Sequence, residues 1–429
     1  MMSTGFARIS QLSAMNEEMV FDQLMHHFDE VSLQHCYRRL DRKAASGSDG
    51  VTKSQYGEQL GRNITELVRR LKRMAYRPSA VKEVMIAKEG QHEVRRPLGI
   101  SNFEDKVLQK RFQEVLEAIY EPVFYDNSYG FRPKRSCHDA VKALHQHLFS
   151  HNTKVVIDLD LSNYFGSIDH EQLMELLQKK ISDRRFLRYI RRMLTCGILG
   201  EAGFRRSEEG VTQGSVCSPV LANIFAHYVL DDWFQTTVKE HCRDEVALFR
   251  YADDAVICCN SEKDAERIRK ALESRLSKYG LALNQEKTSL VKFDKRDRIG
   301  SGGFDFLGFT FYLGLTRHGR PIPKLKSSGK KLRSKLRNVK QWCRRYRNEY
   351  RLSELWQRFC VKLRGHIQYY GVSFNGEAVD GFIRRSIAVF LKWMNRRSQK
   401  RSMTFEQFKN YMSIYPPPKG TLYIGYTDA

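Results

Sequence analysis

The sequence predicts a mixed α and β core followed by a basic helical region. Segments that alternate every two residues, as strands do, are interleaved with segments of three- and four-residue helical spacing, which favours an α/β or α+β fold. The chain has 429 residues, 41% of them hydrophobic, and this length predicts two or three domains. Residues 321–400 hold 21 Lys and Arg against 4 Asp and Glu, so the positive charge is concentrated late in the chain.

The overall charge indicates a polyanionic partner. The formal net charge is +24 at pH 7, and each phosphate that Lys or Arg neutralises releases counterions, so nucleic acid is the first candidate. A membrane surface is the weaker alternative, because no apolar run approaches the ~20 residues of a spanning helix. The N-terminal residues lack the pattern of a secretory signal, and the nine cysteines include no Cys-x-x-Cys pair. We therefore expect a cytoplasmic protein with reduced thiols.

Three further segments have patterns that predict a helix or a strand. The stretch DKVLQKRFQEVLEAIYEPVF, from Asp105, has helical spacing that stops before Pro122. The stretch KVVIDLDLSNYFGSID, from Lys154, opens with alternating β-branched residues and predicts a strand. Residues 264–280 return to helical spacing, and Gly280 is a natural stop.

The stretch ALFRYADDAVICCN, residues 247–260, predicts two short strands joined by a tight turn that carries Asp253 and Asp254. Two adjacent carboxylates beside a buried sheet require a cation, either Lys or Arg or a metal such as Mg²⁺. Because most Asp-Asp turns are only solvated, a metal site here depends on a third carboxylate from another strand. Asp158 and Asp160 lie two apart on one face of the preceding strand, and their spacing does not choose between them.

The basic region begins after a glycine-rich segment. RIGSGGFDFLGF, residues 298–309, predicts a loop that enters a short strand, and we place a domain boundary near it. A basic amphipathic helix is then predicted over Lys330–Tyr350. Its apolar stripe consists of Leu332, Leu336, Val339, Trp342, Tyr346 and Tyr350. A solvated surface helix is the alternative to a helix that faces nucleic acid.

Nine segments resemble, in order, the sequence blocks of group II intron reverse transcriptases, the bacterial intron-encoded RNA-directed DNA polymerases and maturases. The YADD of residues 251–254 is similar to the tyrosine-x-Asp-Asp signature of reverse transcriptases. The nine segments are GSDGVTKSQY, RRPLGISNFEDKVLQ, SYGFRPKRSCHDAV, IDLDLSNYFGSIDH, GVTQGSVCSPVLANIFAH, FRYADDAVI, LNQEKTSLVKF, FDFLGFTF and LRGHIQYYG. Each block alone is weak evidence, whereas nine in the family's order are strong.

The resemblance implies an α+β right-hand polymerase. Residues 1–80 would form an N-terminal extension, and residues 81–310 the fingers and a palm whose antiparallel sheet carries the YADD hairpin. Residues 311–429 would form a basic helical thumb and maturase-specific domain. The sequence ends at TLYIGYTDA without a cysteine- and histidine-rich endonuclease module, so we expect the endonuclease-lacking branch of the family.

The implied activity is RNA-directed DNA polymerisation with two Mg²⁺ ions, or Mn²⁺ in their place. The implied partners are dNTPs, an RNA template with a DNA or RNA primer, and a structured group II intron RNA that the protein would bind as a splicing maturase. Two alternatives are a domesticated reverse transcriptase in phage defence or a CRISPR system, and an RNA-binding splicing cofactor with vestigial polymerase residues.

The family's pattern also implies the functional residues. It selects Asp160, rather than Asp158, as the metal ligand that joins Asp253 and Asp254, and it matches Lys287 to the lysine that protonates the leaving pyrophosphate. Residues matched to substrate binding are Lys88 and Arg96 for the triphosphate, Tyr164 for the aromatic sugar gate and Gln213 for support of the nucleotide. Residues matched to nucleic-acid binding are Lys330, Lys331, Arg344, Arg345, Arg364 and Tyr370.

Three of these assignments have an alternative. The alternative for Tyr164 is a core tyrosine on a strand, without a contact to the nucleotide. Arg95 adjoins Arg96 and leaves the register of the triphosphate contact open. Thr212 stands where the family commonly has proline before the glutamine, which we expect to loosen the loop around Gln213.

Overall fold

The computed structural model of the chain describes residues 4–88, 91–397 and 403–425. The helices are α1 (Thr4–Met15), α2 (Glu30–Arg39), α3 (Lys53–Glu58), α4 (Leu60–Lys72), α5 (Phe103–Tyr120), α6 (Cys137–Ser150), α7 (His170–Gln178), α8 (Arg184–Leu194), α9 (Ser218–Ala226), α10 (Lys239–His241), α11 (Glu262–Ser277), α12 (Gly329–Tyr346), α13 (Leu352–Tyr370), α14 (Gly376–Met394) and α15 (Phe405–Ile414). The strands are β1 (Val81–Lys88), β2 (Gln91–Ile100), β3 (Val155–Leu159), β4 (Ile198–Gly200), β5 (Gly203–Arg205), β6 (Val246–Tyr251), β7 (Asp254–Cys259), β8 (Ser289–Lys292), β9 (Phe304–Phe306), β10 (Phe309–Leu315) and β11 (Pro321–Ser327).

The chain forms two compact units. The first contains residues 1–87, 95–140 and 157–289, and the second contains residues 88–94, 141–156 and 290–429. The predicted mixture of helices and antiparallel sheet is confirmed. The division at residues 80 and 310 into extension, fingers with palm, and thumb with maturase domain stays a prediction.

Three sheets are formed by the described strands. One has the order β2-β1-β4-β5, with β1 parallel to β4 and β4 antiparallel to β5. A second has the order β6-β7-β3-β8, and β6 and β7 form an antiparallel hairpin within it. The third has the order β11-β10-β9 and is antiparallel throughout. The hairpin that carries the predicted carboxylates therefore lies next to β3, the strand that leads to Asp160.

Helix α5 is the interior helix of the first unit. It ends at Tyr120, before Pro122, as its spacing predicts. Its buried residues extend around the whole helix rather than along one stripe, and they include charged groups that require partners. Arg111 donates to Glu114 at 3.1 Å, and Arg39 of α2 donates to the same carboxylate at 2.8 Å.

The second unit has an aromatic core. Phe304 and Phe311 stack on each other across the β9–β10 pair, with ring centroids 5.2 Å apart. Trp356 of α13 packs against Phe390 of α14 at 5.2 Å and Phe408 of α15 at 5.6 Å. Among the described residues, no helix is both long enough and apolar enough to cross a bilayer.

Helix α12 differs from its prediction in two ways. It ends at Tyr346, so Tyr350 lies in the turn that follows it rather than on the helix. Val339 is buried as expected, but the other five members of the predicted apolar stripe are only half-buried. They are Leu332, Leu336, Trp342, Tyr346 and Tyr350. The helix therefore keeps part of its apolar face at the surface.

A buried histidine in α13 predicts acid sensitivity. His366 stacks on Phe382 with ring centroids 3.7 Å apart, and both of its ring nitrogens lack a hydrogen-bond partner among the described residues. Burial, with the Lys335 cation as a smaller cause, lowers the pKa of His366 to about 3. Below about pH 6.5 this histidine binds a proton in the unfolded chain but stays neutral in the folded chain. The free energy of unfolding therefore falls as the pH drops below that value.

We expect His366→Leu to reduce this loss. Between pH 7 and pH 5 the wild-type free energy of unfolding should fall by about 2 kcal/mol more than that of the variant. Urea titrations at the two pH values measure the difference. His318→Leu, at an exposed hairpin tip, is the matched control and should fall as much as the wild type. An unchanged pH slope in His366→Leu would contradict the prediction.

Candidate active site

The hairpin of β6 and β7 is formed as predicted. Tyr251 pairs with Asp254 across its end, so Ala252 and Asp253 make a two-residue turn. Ala252 has φ of 58°, a left-handed conformation that the tight turn requires and that a non-glycine residue rarely adopts. Asp253 is half-buried in the turn, and Asp254 is the exposed first residue of β7.

A buried arginine holds this turn. The side chain of Arg250 is 1% exposed and that of its partner Asp231 is fully buried. Arg250 donates to the two carboxylate oxygens of Asp231 at 2.7 and 2.5 Å, and to the carbonyl of Ala252 at 3.0 Å. It also donates to Asn223 at 3.1 Å and to Ser128 at 2.7 Å. All five N–H groups of the guanidinium are thereby satisfied.

The segment around Gly130 supports the same turn from the other side. The backbone of residues 127–129 runs beside Arg250, with Arg250 N–H donating to the Asn127 carbonyl at 2.9 Å. A side chain at Gly130 would lie 2.3 Å from the Ala252 nitrogen, so only glycine fits there. Asn223 donates to the Gly130 carbonyl at 2.5 Å and so connects this segment to the arginine network.

Asp160 lies one residue beyond the end of β3 rather than within the strand. Its backbone carbonyl accepts from Asn284 N–H at 2.8 Å, which fixes it against the turn of residues 284–288. Lys287 lies in that turn and donates to the Asp160 carboxylate at 2.7 Å. The structure therefore brings together two residues that the sequence separates by 127 positions.

The charges around Asp253 are coupled. Burial is the main cause that raises the pKa of Asp253 above its ordinary value, and the negative charge of Asp160 raises it further. The cations of Arg250 and Arg96 act in the opposite direction. Asp253 is thus within electrostatic range of both Asp160 and Arg96, and the roles of metal ligand and triphosphate contact stay predictions.

The two aromatic residues after Asp160 have different environments. Tyr164 is 3% exposed, and its hydroxyl donates to the Ala222 carbonyl at 2.6 Å, so it is part of the core. Phe165 is half-buried, and its ring meets Phe131 edge-on at 6.4 Å. Tyr164 begins a 3-10 turn, where the two-residue alternation of a strand no longer applies. The buried position of Tyr164 corrects the expectation that it faces a nucleotide sugar.

The loop that carries Gln213 is fixed by its neighbours. Gly99 N–H donates to the Gln213 carbonyl at 2.7 Å, and the side chain of Gln109 accepts from Val216 N–H at 3.1 Å. A side chain at Gly99 would lie 2.1 Å from the Thr212 methyl, so the glycine allows the close approach. These contacts hold parts of the loop, and the loosening expected from Thr212 in place of proline stays a prediction.

The remaining predicted residues fall into three groups. Lys88 is the last residue of β1, and its side chain is not among those that the structure describes. Lys330, Arg344, Arg345 and Arg364 are exposed and Lys331 is half-exposed, as a nucleic-acid surface needs. Tyr370 is 2% exposed and packs on Phe309 at 5.2 Å. Its burial corrects the expectation that it contacts nucleic acid directly.

The donor set fits a hard divalent cation. Asp160, Asp253 and Asp254 offer carboxylate oxygens, the ligands that Mg²⁺ prefers. A cation between these carboxylates would relieve the repulsion that raises the pKa of Asp253. Acids on a hairpin and at the end of a strand of the same sheet are typical of metal-dependent phosphoryl-transfer sites. The fold and the acids thus favour a nucleotidyl-transferring enzyme, and the metal ions that the acids would bind belong to the function proposed below.

Comparison with known proteins gives the family. Residues 86–311, just over half of the chain, match the family model described as reverse transcriptase (RNA-dependent DNA polymerase). The chain therefore belongs to the reverse transcriptase family. It is 34% identical over 224 residues to the group II intron-encoded protein LtrA of Lactococcus lactis, and 32% identical over 306 residues to protein YkfC of Escherichia coli. These matches confirm the resemblance to group II intron reverse transcriptases.

The extent of the matches differs. The YkfC match covers 64% of this chain and 77% of YkfC, whereas the LtrA match covers 51% of this chain and only 36% of LtrA. An uncharacterized 91 kDa protein in the cob intron of Schizosaccharomyces pombe is 41% identical over 146 residues, which are 34% of this chain and 18% of that protein. The chain thus matches about a third of LtrA.

We expect the Arg250 network to control both stability and the shape of the turn. Arg250→Met leaves Asp231 buried and unpaired and should lower the free energy of unfolding by about 3–5 kcal/mol. Adding Asp231→Leu removes the unpaired charge and should recover most of that loss. The double variant still lacks the donor to Ala252, so amide hydrogen exchange at residues 251–254 should stay faster than in the wild type.

The control for this experiment is an exposed ion pair in the same unit. Arg191→Met removes a surface contact with Glu171 and should leave both the unfolding curve and the exchange of the turn unchanged. If the double variant regained slow exchange along with its stability, the turn would not depend on Arg250.

Proposed function

We propose that the protein is an RNA-directed DNA polymerase that extends a primer with dNTPs on an RNA template. The observation that carries the proposal is the Asp160–Lys287 ion pair within electrostatic range of Asp253 of the YADD hairpin, in a chain of the reverse transcriptase family. In the proposed reaction the primer 3′-hydroxyl attacks the α-phosphate of a dNTP. The bond to the β-phosphate oxygen breaks, and pyrophosphate leaves.

Asp160, Asp253 and Asp254 would hold two Mg²⁺ ions, with Mn²⁺ as an alternative. When bound, the ions supply positive charge that favours ionisation of the primer hydroxyl and offsets charge on the leaving pyrophosphate. The carboxylates themselves orient this charge, and the rigid turn around Ala252 fixes where they point. The side chain of Lys287 is 61% exposed and carries an ammonium group, which is suited to protonate the pyrophosphate as it leaves.

Arg96 and Gln213 would bind the nucleotide. Arg96 is exposed on β2, and its charge is felt at Asp253, so a triphosphate that reaches the carboxylates would also be near this guanidinium. Gln213 lies in a loop that Gly99 and Gln109 hold. We assign the sugar contact to Phe165, because its ring is partly exposed while that of Tyr164 is buried.

The basic second unit would bind the template and primer and, as a maturase, a structured intron RNA. Its exposed cations are the physical support for this part of the proposal. The similarity to LtrA, which is named a group II intron-encoded protein, supports an intron-linked role. Because base pairing reads the template, the protein needs contacts to backbone and shape rather than to base edges.

The carboxylate assignment predicts which substitutions abolish activity. Asp160→Asn and Asp253→Asn should each reduce dNTP incorporation on an RNA template by at least about 10³-fold, because each removes a metal ligand. Asp158→Asn, two residues away on β3, is the matched control and should keep most of the activity. Primer-extension assays with purified variants measure this. Equal loss in Asp158→Asn and Asp160→Asn would contradict the assignment, and an inactive wild type would overturn the polymerase proposal.

The two aromatic residues predict separable effects. Phe165→Val should relax sugar selection and raise the ratio of ribonucleotide to deoxyribonucleotide incorporation by about tenfold or more, because the ring that would meet a 2′-hydroxyl is gone. Tyr164→Phe should keep sugar selection and lose about 1 kcal/mol of stability with its hydrogen bond to Ala222. Single-nucleotide incorporation and urea unfolding measure the two effects. Because Tyr164→Phe keeps the ring, Tyr164→Val completes the test: relaxed selection in Tyr164→Val but not in Phe165→Val would reverse the assignment.

A further inference from the structure

Three aromatic rings follow one another along the end of α12 and the turn after it. Trp342 and Tyr346 have ring centroids 5.7 Å apart, and Tyr346 and Tyr350 are 5.9 Å apart. All three side chains are half-exposed. We call these three residues the aromatic ladder. Trp342 is anchored by the buried Phe359 of α13, with which it stacks at 6.4 Å and 26°, so the ladder begins on a fixed ring.

A cation accompanies each ring of the aromatic ladder. The Lys362 ammonium lies 5.3 Å from the Trp342 centroid, the Arg345 guanidinium 5.1 Å from Tyr346, and the Arg358 guanidinium 4.1 Å from Tyr350. Two acids lie close by: Glu349 directly precedes Tyr350 in the chain, and Glu354 accepts from Arg358 at 2.9 Å. Aromatic surface and positive charge therefore alternate over a short distance on a strongly basic part of the chain.

We propose that the aromatic ladder binds unpaired nucleotides of an RNA strand, with bases stacked on the rings and phosphates held by the adjacent cations. The proposal rests on the polymerase and maturase function proposed above, and it names the form of RNA that this surface takes. Stacking on aromatic rings tolerates any base, because every base has a π-face, and lysine and arginine follow the backbone. An RNA-binding polymerase has such strands in its template and in loops of a structured RNA.

The geometry favours an unpaired strand over a duplex. Bases that stack on one another lie about 3.4 Å apart, which is well below the ring-centroid spacing of 5.7 Å. Each ring would therefore meet a base only if the strand were unstacked and extended. A duplex also hides its base faces and offers only phosphates and groove edges, for which the cations of α12 suffice without the rings.

The test compares two probes on the full-length protein without dNTPs. One is a fluorescein-labelled 12-nucleotide RNA without self-complementarity, and the other is the same RNA paired to its complement. Tyr346→Leu combined with Tyr350→Leu should weaken binding of the single strand about tenfold or more and that of the duplex less than twofold. The dependence of affinity on salt should stay unchanged, because no charge is removed. Fluorescence anisotropy at several salt concentrations measures both quantities.

Two matched controls separate stacking from other effects. Tyr312→Leu removes another half-exposed tyrosine of the same unit, one that carries Lys326 at 4.8 Å, and should not change either affinity. Lys330→Gln with Arg344→Gln should weaken both probes and reduce the steepness of the salt dependence. RNA should also quench tryptophan fluorescence in the wild type, and Trp342→Phe should remove that quenching, while thermal unfolding confirms that each variant is folded.

The outcomes decide the proposal. Weaker binding of the single-stranded probe alone in the tyrosine double variant supports it. Equally weakened binding of both probes would indicate phosphate contact, and unchanged binding of both would indicate no contact. An equal loss of binding to poly-glutamate would indicate a surface for acidic proteins, and each of these three results would overturn the proposal. Because no nucleotide is incorporated in this assay, an inactive polymerase would leave the binding result intact, so failure of the two proposals is distinguishable.

Discussion

The geometry of the candidate active site depends on one buried ion pair, Arg250 with Asp231. Removing two charges from water is costly, and the pair is tolerable only because the guanidinium also satisfies Asn223, Ser128 and the Ala252 carbonyl. Any shift of the β6–β7 turn would break a bond to a group with no access to water. The left-handed backbone at Ala252 is held in the same way, since the surrounding contacts leave it no alternative. The rigidity of the carboxylate-bearing turn is thus a consequence of burying a charge behind it.

The position of Asp253, in this turn and near Asp160, lowers the stability of the folded protein. Asp253 is partly buried and near Asp160, and both effects disfavour its ionised form. The cations of Arg250 and Arg96 act against the rise in the pKa of Asp253, and Lys287 forms an ion pair with Asp160. Arg250 is buried, whereas Lys287 is 61% exposed. The fold therefore holds the carboxylates in place, and a bound cation would complete the compensation of their negative charge.

Local sequence patterns predicted the elements well and the burial of single side chains less well. The YADD hairpin, helix α5 and strand β3 follow from alternation and helical spacing, which the backbone obeys over several residues. Tyr164 was misplaced because the strand ends at Leu159 and a 3-10 turn follows, so its neighbour Phe165 keeps the exposed surface. Tyr370 was misplaced because its partners lie far away in the sequence. The sequence does contain a signal for the buried ion pair, because Arg250 is a charge inside an apolar strand and such a charge requires a buried partner.

Arg250 of the first unit and the arginines of the aromatic ladder in the second lie in opposite environments, and this difference would allow one chain to combine the proposed fixed chemistry with the proposed tolerant binding. In the first unit Arg250 is desolvated, and its fixed hydrogen bonds define a single geometry for the turn. In the second unit Arg345 and Arg358 lie over half-exposed rings, where cation–π contacts constrain direction only loosely. Phosphoryl transfer needs its ligands placed to within fractions of an ångström, whereas a polymerase must accept every template sequence. Buried arginine meets the first requirement, and arginine on exposed aromatic surface meets the second.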